Sequence, residues 1–285
     1  MIAITGSTGH FGRIVIENLL ERGIPAGRIV ALARNPEKAR DLADRGVQVR
    51  QADYSAPESL VAALQGVEKL LFVSGSEAGQ RIPQHQNVVD AARQAGVRLI
   101  AYTSIANADT TGMQLAAEHK ATEEMIRQSG IPFVFLRNNW YLENYTGNLA
   151  STVEHGVLLG SADDGRLNAA TRADLAAAAA EVIAGEGHEG RIYELGGDVG
   201  FTLPELAETI SRESGRPVEY RNLPENAYAE ALVGFGLPEG FARVLADSDR
   251  GIARGDLHTD SGDLRRLIGR PTTTPAEAVA AALRG

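Results

Sequence analysis

The stretch MIAITGSTGHFGRIVIENLLERG, residues 1–23, contains a strand, a glycine-rich turn and a helix in that order. Its apolar start, Ile2–Thr5, predicts a buried strand, and the amphipathic segment 11–22 predicts a helix that ends at Gly23. Between them lie three glycines at intervals of three residues, Gly6, Gly9 and Gly12. This spacing indicates either a tight turn that needs positive φ or a loop that lets a phosphate approach the helix N-terminus. One glycine suffices for a turn, so three favour the phosphate loop.

The first half of the chain repeats this alternation of apolar runs and amphipathic segments. Strands are predicted at Ile2–Thr5, Ile29–Ala33, Val47–Gln51, Lys69–Val73, Arg98–Thr103 and Pro132–Leu136, and helices at 11–22, 36–45, 57–65, 79–95 and 114–129. Five glycines fall at predicted helix ends, where positive φ is wanted: Gly23, Gly46, Gly66, Gly96 and Gly130. Strands joined by such helices pair in parallel through right-handed crossovers. The sequence therefore predicts an α/β fold with a doubly wound, Rossmann-type parallel sheet.

The pattern changes after about residue 150. An alanine-rich helix is predicted in TRADLAAAAAEVIAG (171–185), a strand in RIYELGG (191–197), and capped helices in TLPELAETISRESG (202–215) and TPAEAV (274–279). We therefore expect a dinucleotide-binding domain over residues 1–150. Residues 151–285 are expected to form a smaller, mainly helical C-terminal lobe, with segments that pack back on the sheet.

The composition restricts the class of protein. The chain of 285 residues is 44% hydrophobic, enough for a sizeable core, and its formal net charge of −9 argues against nucleic-acid or membrane-surface partners. The absence of cysteine excludes disulfides and cysteine–metal sites, and the six histidines have no metal-ligand spacing, so we expect no metal. Without a membrane-spanning run or a signal peptide, the protein is expected to be cytoplasmic, and its oligomeric state stays open.

Arg34 follows the second predicted strand, at the position that selects between dinucleotides in this fold. An acidic residue there binds the ribose hydroxyls of NAD, whereas a guanidinium suits the additional phosphate of NADP. Arg34, with Lys38 about one helical turn further on, therefore favours NADP(H), although an ordinary solvated arginine fits the same pattern. Asp53, after the third strand, is compatible with an adenine contact or with a helix-capping or loop role.

Further cofactor contacts are predicted at the carboxyl ends of the strands, where ligands bind in such sheets. The glycine loop offers Gly6, Ser7, Thr8, Gly9, His10 and Phe11, and the fourth strand is followed by the small residues Ser74, Gly75 and Ser76. The sixth strand is followed by Asn138, Asn139, Trp140 and Tyr141. Their amides and rings suit a flat ring and its carboxamide, and an aromatic, capped helix entrance is the alternative interpretation.

No tyrosine is followed four residues later by a lysine, the pair that protonates the alkoxide in short-chain reductases. The corresponding helix carries His119 and Glu123 on one face, which indicates either an incidental surface pair or a proton donor near neutral pH. His119, Asn138 and Tyr141 are the candidate catalytic residues. A site without the tyrosine–lysine pair suits electron-poor acceptors, because a reduced quinone is a delocalised anion and a reduced cationic dye is neutral.

Several stretches resemble the NmrA-like, atypical short-chain dehydrogenase/reductase family: ITGSTGHFG (4–12), ALARNPEKA (31–39), EHKATE (118–123) and LRNNWYLENY (136–145). The resemblance covers almost the whole chain and is strongest to the family's bacterial, zinc- and flavin-independent NADPH:quinone oxidoreductases of type 2, relatives of the triphenylmethane-dye reductases. It implies a Rossmann-type domain, a smaller C-terminal lobe, and NADPH bound by the Gly6–Gly12 loop, Arg34, Gly75 and the Asn138–Tyr141 loop. The expected function is flavin- and metal-independent hydride transfer from NADPH to a quinone. Reduction of triphenylmethane dyes or other conjugated acceptors, and a non-catalytic NADP(H)-sensing regulator, are the alternatives.

Overall fold

The computed structural model describes residues 1–77 and 79–284. Its strands are β1 (Ile2–Ile4), β2 (Ile29–Ala33), β3 (Gln48–Gln51), β4 (Lys69–Phe72), β5 (Leu99–Ile105), β6 (Phe133–Asn138), β7 (Val157–Gly160), β8 (Ile192–Leu195) and β9 (Glu219–Asn222). Its α-helices are α1 (His10–Glu21), α2 (Arg40–Asp44), α3 (Pro57–Ala63), α4 (Arg81–Ala95), α5 (Gln114–Gln128), α6 (Glu143–Thr146), α7 (Leu149–His155), α8 (Arg172–Ala184), α9 (Leu203–Ser214), α10 (Glu225–Gly234), α11 (Glu239–Ala253), α12 (Asp263–Ile268) and α13 (Pro275–Leu283).

Seven strands form one sheet in the order β3-β2-β1-β4-β5-β6-β8, and β7 pairs with β9 in a separate parallel sheet. The central pairs of the large sheet are parallel, as a doubly wound fold requires. The order reverses at β1, which has β2 on one side and β4 on the other. In open α/β sheets, ligands bind outside the carboxyl ends of the strands at such a reversal. The predicted fold class is therefore confirmed, and the reversal locates the candidate site.

The elements predicted in the first half are present, with ends that differ by up to two residues. Segment 36–45 is the exception, because it begins as a 3₁₀ helix, Pro36–Ala39, before α2 starts. There the side chain of Asn35 accepts the N–H of Glu37 and forms a local turn. The five glycines at predicted helix ends all have positive φ, from +71° to +87°.

The buried faces of β1 and α1 hold the loop between them in place. Ala3 and Ile4 of β1 are fully buried, and so are Val15, Ile16 and Leu19 of α1. The same face of the sheet receives α8, which packs against α1, β4 and β5. Alanine side chains make this close packing of two helices possible, since they fill little space between the backbones.

The chain divides into two compact units, and this division differs from the single boundary predicted near residue 150. The first unit contains Met1–Ile105, Glu118–Arg137 and Arg172–Tyr193, and the second contains Ala106–Ala117, Asn138–Thr171 and Glu194–Gly285. The difference arises because α8 packs on the first unit's sheet. The segments that follow β5 and β6 belong instead to the second unit.

The second unit contains the predicted capped helices. α9 begins at a capping box of Thr202 and Glu205, and α13 begins at one of Thr274 and Glu277. These two helices pack against each other, and α9 also contacts β7 and β9. No helix in the described part of the chain has both the length and the apolar character needed to cross a membrane.

Candidate functional site

The loop between β1 and α1 leaves no room for side chains at its closest approach. Gly6 has a φ of +59°, and its carbonyl accepts the N–H of Gly9 at 2.9 Å. A Cβ on Gly12 would lie 2.5 Å from the carbonyl oxygen of Gly6 and 3.1 Å from the Cα of Ser7, both backbone atoms. The first turn of α1 has neither a side-chain cap nor an acidic residue. The exposed N-terminus of α1 can therefore receive an anion.

The six residues predicted for this loop do not all face solvent. Gly6, Gly9 and His10 are exposed and Thr8 is half-buried. Ser7 is fully buried, and both its hydroxyl and its N–H donate to the carbonyl of Leu32, at 2.8 and 3.4 Å. Ser7 therefore fastens the loop to β2, and a cofactor contact from Ser7 stays a prediction. Phe11 is also buried, so only its backbone is available to a ligand.

Arg34 lies directly after β2, as predicted, and its side chain is 68% exposed. One guanidinium nitrogen, Nη1, lies 2.8 Å from Oε1 of Glu77, in the segment that follows β4. The other carboxylate oxygen of Glu77 accepts a hydrogen bond from Gln84 Nε2 at 2.8 Å. Glu77 was not identified from the sequence. Its position as the first carboxylate after β4, at the edge where ligands bind, is the signal that could have indicated it.

Side chains from other elements form hydrogen bonds with the backbone of the small residues after β4 and hold it in place. Ser74 N–H donates to Thr103 Oγ1 at 2.9 Å, and Gly75 N–H donates to His85 Nε2 at 3.0 Å. The Gly75 carbonyl accepts from Arg81 Nε at 2.8 Å. These backbone groups are already used, so Gly75 can offer a ligand a close van der Waals approach rather than a hydrogen bond. Ser76 is exposed.

His85 and Asp53 are both explained by local structure. Thr122 Oγ1 donates to the Glu118 carbonyl, so the 2.8 Å contact between His85 Nδ1 and Thr122 Oγ1 assigns the proton to Nδ1. Burial, reinforced by the cation of Arg81, lowers the pKa of His85 to about 3, consistent with a neutral ring. Asp53 Oδ1 accepts the N–H of Ser55 at 2.8 Å, so its side chain has the loop role that the sequence allowed beside an adenine contact.

His119 does not have the environment of a proton donor. Its ring is 5% exposed, and Nδ1 lies 2.8 Å from the hydroxyl of the fully buried Tyr102. Burial, with the cation of Arg81, places the pKa of His119 well below its ordinary value, so the ring is neutral near pH 7.

Glu123, the expected partner of His119, is occupied elsewhere. Its carboxylate accepts hydrogen bonds from Ser104 Oγ at 2.6 Å and from Arg137 Nη2 at 2.8 Å. His119 and Glu123 therefore belong to different groups: the histidine to a buried aromatic cluster, and the glutamate to a buried ion pair with Arg137. A catalytic role of His119 stays a prediction, and this arrangement does not favour it.

Asn138 and Asn139 are adjacent, equally buried and chemically identical, yet their side chains differ in bonding. Asn139 Nδ2 donates to the Leu257 carbonyl at 3.0 Å, and its Oδ1 accepts the N–H of Trp140 at 2.8 Å. Both polar atoms of the Asn138 side chain are buried without a hydrogen-bond partner. A buried amide left in this state costs about 1–3 kcal/mol unless a ligand completes it. Asn138, the last residue of β6, therefore remains a candidate ligand, whereas Asn139 has a structural role.

Trp140 and Tyr141 are half-buried and are fixed through their backbone. The Trp140 carbonyl accepts the N–H of Ala170 at 2.9 Å, and Tyr141 forms a parallel bridge with the same residue. The backbone that carries these two rings is therefore fixed, which a surface that binds a flat ligand requires.

These features fit a dinucleotide. In the glycine loop a Cβ on Gly12 would collide with backbone atoms, and the adjoining N-terminus of α1 is open to a phosphate. In residues 1–77 and 79–284, no three histidine, aspartate or glutamate side chains form a group able to hold a metal ion. Independence from metal and flavin stays a prediction.

Comparisons with known proteins agree with this geometry. Residues 1–254 match the NmrA-like family. The chain is 55% identical to quinone oxidoreductase 2 of Escherichia coli K12 over 98% of this chain and 97% of the relative. It is also similar to the crystal structure of the E. coli NADPH-dependent quinone oxidoreductase QOR2 complexed with NADPH, with a TM-score of 0.97, 54% identity, and coverage of 99% and 100% of the two chains. The triphenylmethane reductase of Citrobacter sp. complexed with NADP(H) has a TM-score of 0.94, 43% identity and the same coverage.

Proposed function

The chain belongs to the NmrA-like family, and we propose that it is an NADPH-dependent reductase that transfers hydride directly to quinones. The glycine loop is the observation that supports a bound nucleotide. A Cβ at Gly12 would collide with the backbone of Gly6 and Ser7, so only glycine fits there. The choice of a quinone as acceptor is supported by the similarity to the E. coli quinone oxidoreductase 2.

Each half of the cofactor has chemically suitable residues. Backbone N–H groups in the first turn of α1 bind the pyrophosphate, and Arg34 binds the 2′-phosphate. Asn138 has one donor and one acceptor without a partner, and the carboxamide of nicotinamide offers the complementary pair. The rings of Trp140 and Tyr141 contact the flat nicotinamide or the acceptor.

When bound, NADPH supplies a hydride from its nicotinamide ring to the acceptor. The chain's contribution is binding and orientation, because a positioned pair of reactants lowers the barrier without a covalent step. The neutral, buried His119 is not a source of the proton, so we assign the proton on the quinone oxygen to solvent. The catalytic roles proposed for Asn138 and Tyr141 are therefore positioning roles.

Reduction of a cationic dye is the second candidate, because the Citrobacter triphenylmethane reductase is 43% identical to the chain. Its product is neutral, so the reaction also needs no proton donor from the protein. A non-catalytic NADP(H) sensor is the third, and it differs by predicting tight binding without turnover.

One assay separates these three functions. Purified protein is mixed with NADPH alone, with NADPH and benzoquinone, and with NADPH and crystal violet, and the absorbance of the reduced nicotinamide is followed. We expect rapid oxidation of NADPH with benzoquinone, and none without an acceptor. Turnover with the dye alone would favour the dye reductase, and binding without turnover would favour the sensor. At NADPH concentrations near the wild-type dissociation constant, the Gly12→Ala variant is the matched control, because weaker NADPH binding should lower its turnover and any reaction outside the site would persist.

The cytoplasmic location and the absence of nucleic-acid partners stay predictions from the sequence. A quinone-sized small molecule is the partner that the proposed function requires.

A further inference from the structure

Glu77 is a carboxylate that the proposed function does not use, although it contacts the residue assigned to the cofactor phosphate. Its Oε1 lies 2.8 Å from Arg34 Nη1, and its Oε2 accepts a hydrogen bond from Gln84 at 2.8 Å. Gln84 is 8% exposed and belongs to α4, so a buried amide holds one side of the carboxylate while Arg34 holds the other.

The position of this ion pair in the sheet is informative. Arg34 follows β2, and Glu77 lies beyond the end of β4, whereas β1 pairs with both of these strands. The glycine loop follows β1. The ion pair therefore joins the segments on either side of the glycine loop, at the edge of the sheet where a dinucleotide binds in this fold.

We propose that Glu77 is a specificity-determining residue that competes with the 2′-phosphate of NADPH for Arg34. The proposal rests on NADPH binding as proposed above. Glu77 occupies Nη1 of Arg34, so a phosphate that binds through Nη1 must displace Glu77, and one that binds through Nε and Nη2 lies within reach of its negative charge. NADH has no phosphate at this position and leaves the ion pair intact. Glu77 therefore weakens NADPH binding selectively and narrows the preference for NADPH over NADH.

The charges and exposures make such competition feasible. The side chains of Arg34 and Glu77 are 68% and 46% exposed, so their ion pair is weak and a dianionic phosphate displaces it at low cost. After displacement, Gln84 keeps the carboxylate near the phosphate, and the two negative charges repel each other.

The test compares Glu77→Gln with the wild-type chain by isothermal titration calorimetry. The probes are NADPH, NADH, adenosine 2′,5′-bisphosphate and adenosine 5′-monophosphate. We expect Glu77→Gln to bind NADPH and the bisphosphate about two- to fivefold more tightly, in line with the loss of one exposed, competing ion pair. NADH and the monophosphate should change by less than about twofold, and the gain should decrease as salt is added.

Glu37→Gln is the matched control. Glu37 is 75% exposed, lies three residues from Arg34 and has its nearest ion-pair partner, Arg40, at 3.8 Å. This variant changes the net charge equally without releasing Arg34, so it should leave the ratio of the NADPH and NADH affinities unchanged. An equal gain in NADPH affinity in Glu37→Gln and in Glu77→Gln would show a general charge effect and overturn the proposal.

The remaining outcomes distinguish a failure of the proposed function from a failure of the role of Glu77 alone. Wild-type chain that does not bind NADPH contradicts the proposed function itself. Wild-type chain that binds NADPH, with an unchanged NADPH-to-NADH ratio in Glu77→Gln and Glu77→Ala, overturns only the role of Glu77. Melting curves without ligand establish that each variant is folded.

Discussion

Replacing Gly12 with alanine tests the geometry of the phosphate loop. The added Cβ would lie 2.5 Å from the Gly6 carbonyl oxygen, about 0.9 Å inside the 3.4 Å at which ordinary contacts begin. The neighbouring backbone cannot easily yield, because Ser7 is fastened to Leu32 and α1 is packed against α8. Relief therefore requires α1 to move by about an ångström relative to the loop, at a cost of roughly 1–3 kcal/mol in the free energy of unfolding.

The same displacement removes the N–H groups of α1 from the pyrophosphate. Loss of one or two hydrogen bonds to a charged group costs about 1.5–3 kcal/mol, so we expect the dissociation constants of NADPH and NADH to rise by about ten- to a hundredfold. Both dinucleotides should lose affinity equally, since they share the pyrophosphate. Calorimetric titration measures the affinities, and denaturant unfolding without ligand measures the stability.

Two glycine variants serve as controls for Gly12→Ala. A Cβ on Gly9 would lie 3.3 Å from the Gly6 oxygen, and one on Gly27 would meet no atom within 4 Å. Gly9→Ala should cost far less stability than Gly12→Ala but should still weaken both dinucleotides, because Gly9 belongs to the loop assigned to the pyrophosphate. Gly27→Ala should change neither stability nor affinity. Native affinity for both dinucleotides in Gly12→Ala would refute the assignment of this loop to the pyrophosphate.

Three further substitutions test the contact with the 2′-phosphate, the buried amide of Asn138 and the buried carboxyl of Asp249. Arg34→Glu should weaken NADPH by at least about tenfold and NADH little; equal losses in calorimetric titrations would contradict the phosphate role. Asn138→Leu should leave the ligand-free chain as stable or more stable, because it removes an unpaired buried amide, while weakening NADPH; Asn139→Leu should lower the unfolding free energy by about 1–3 kcal/mol. A ligand-free Asn138→Leu chain as unstable as Asn139→Leu in denaturant titrations would show that the Asn138 amide is already satisfied. Burial raises the pKa of Asp249 to about 7, although the hydrogen bond from the Ser161 N–H and the cation of Arg250 both act to lower it. The folded chain therefore keeps on Asp249 a proton that the unfolded chain loses near pH 4. The wild-type free energy of unfolding therefore falls as the pH rises from about 4 through 7, and above pH 7 that of Asp249→Asn should exceed it by up to roughly 4 kcal/mol. Denaturant unfolding at a series of pH values measures this difference, and parallel curves for the two chains would contradict it.

Local signals predicted the sheet and the glycine loop, since both depend on neighbours in the sequence. The strand–glycine–helix order at residues 1–23 specifies β1, the loop and α1, and the glycines at helix ends have the positive φ that their positions require. The segment 36–45 was less predictable, because a side-chain turn at Asn35 and a 3₁₀ helix have the same composition as the start of an α-helix.

Roles that depend on distant partners could not be obtained from the sequence. Ser7 bonds to Leu32, His119 to Tyr102, and Asn139 to Leu257, which lies 118 residues away. The contrast between the two adjacent asparagines depends on β6 continuing to Asn138, two residues beyond its predicted end. Asn138 is the last residue of β6 and Asn139 lies just beyond it, where its side chain reaches Leu257 and the N–H of Trp140.

The central claim is that the chain passes hydride from bound NADPH directly to a quinone. Single-turnover oxidation of NADPH deuterated at its transferable position, measured with flavin-free protein and benzoquinone, tests it most directly. We expect slower oxidation of the deuterated cofactor, with one NADPH consumed for each hydroquinone formed. NADPH that binds but is consumed only after flavin is added would contradict it.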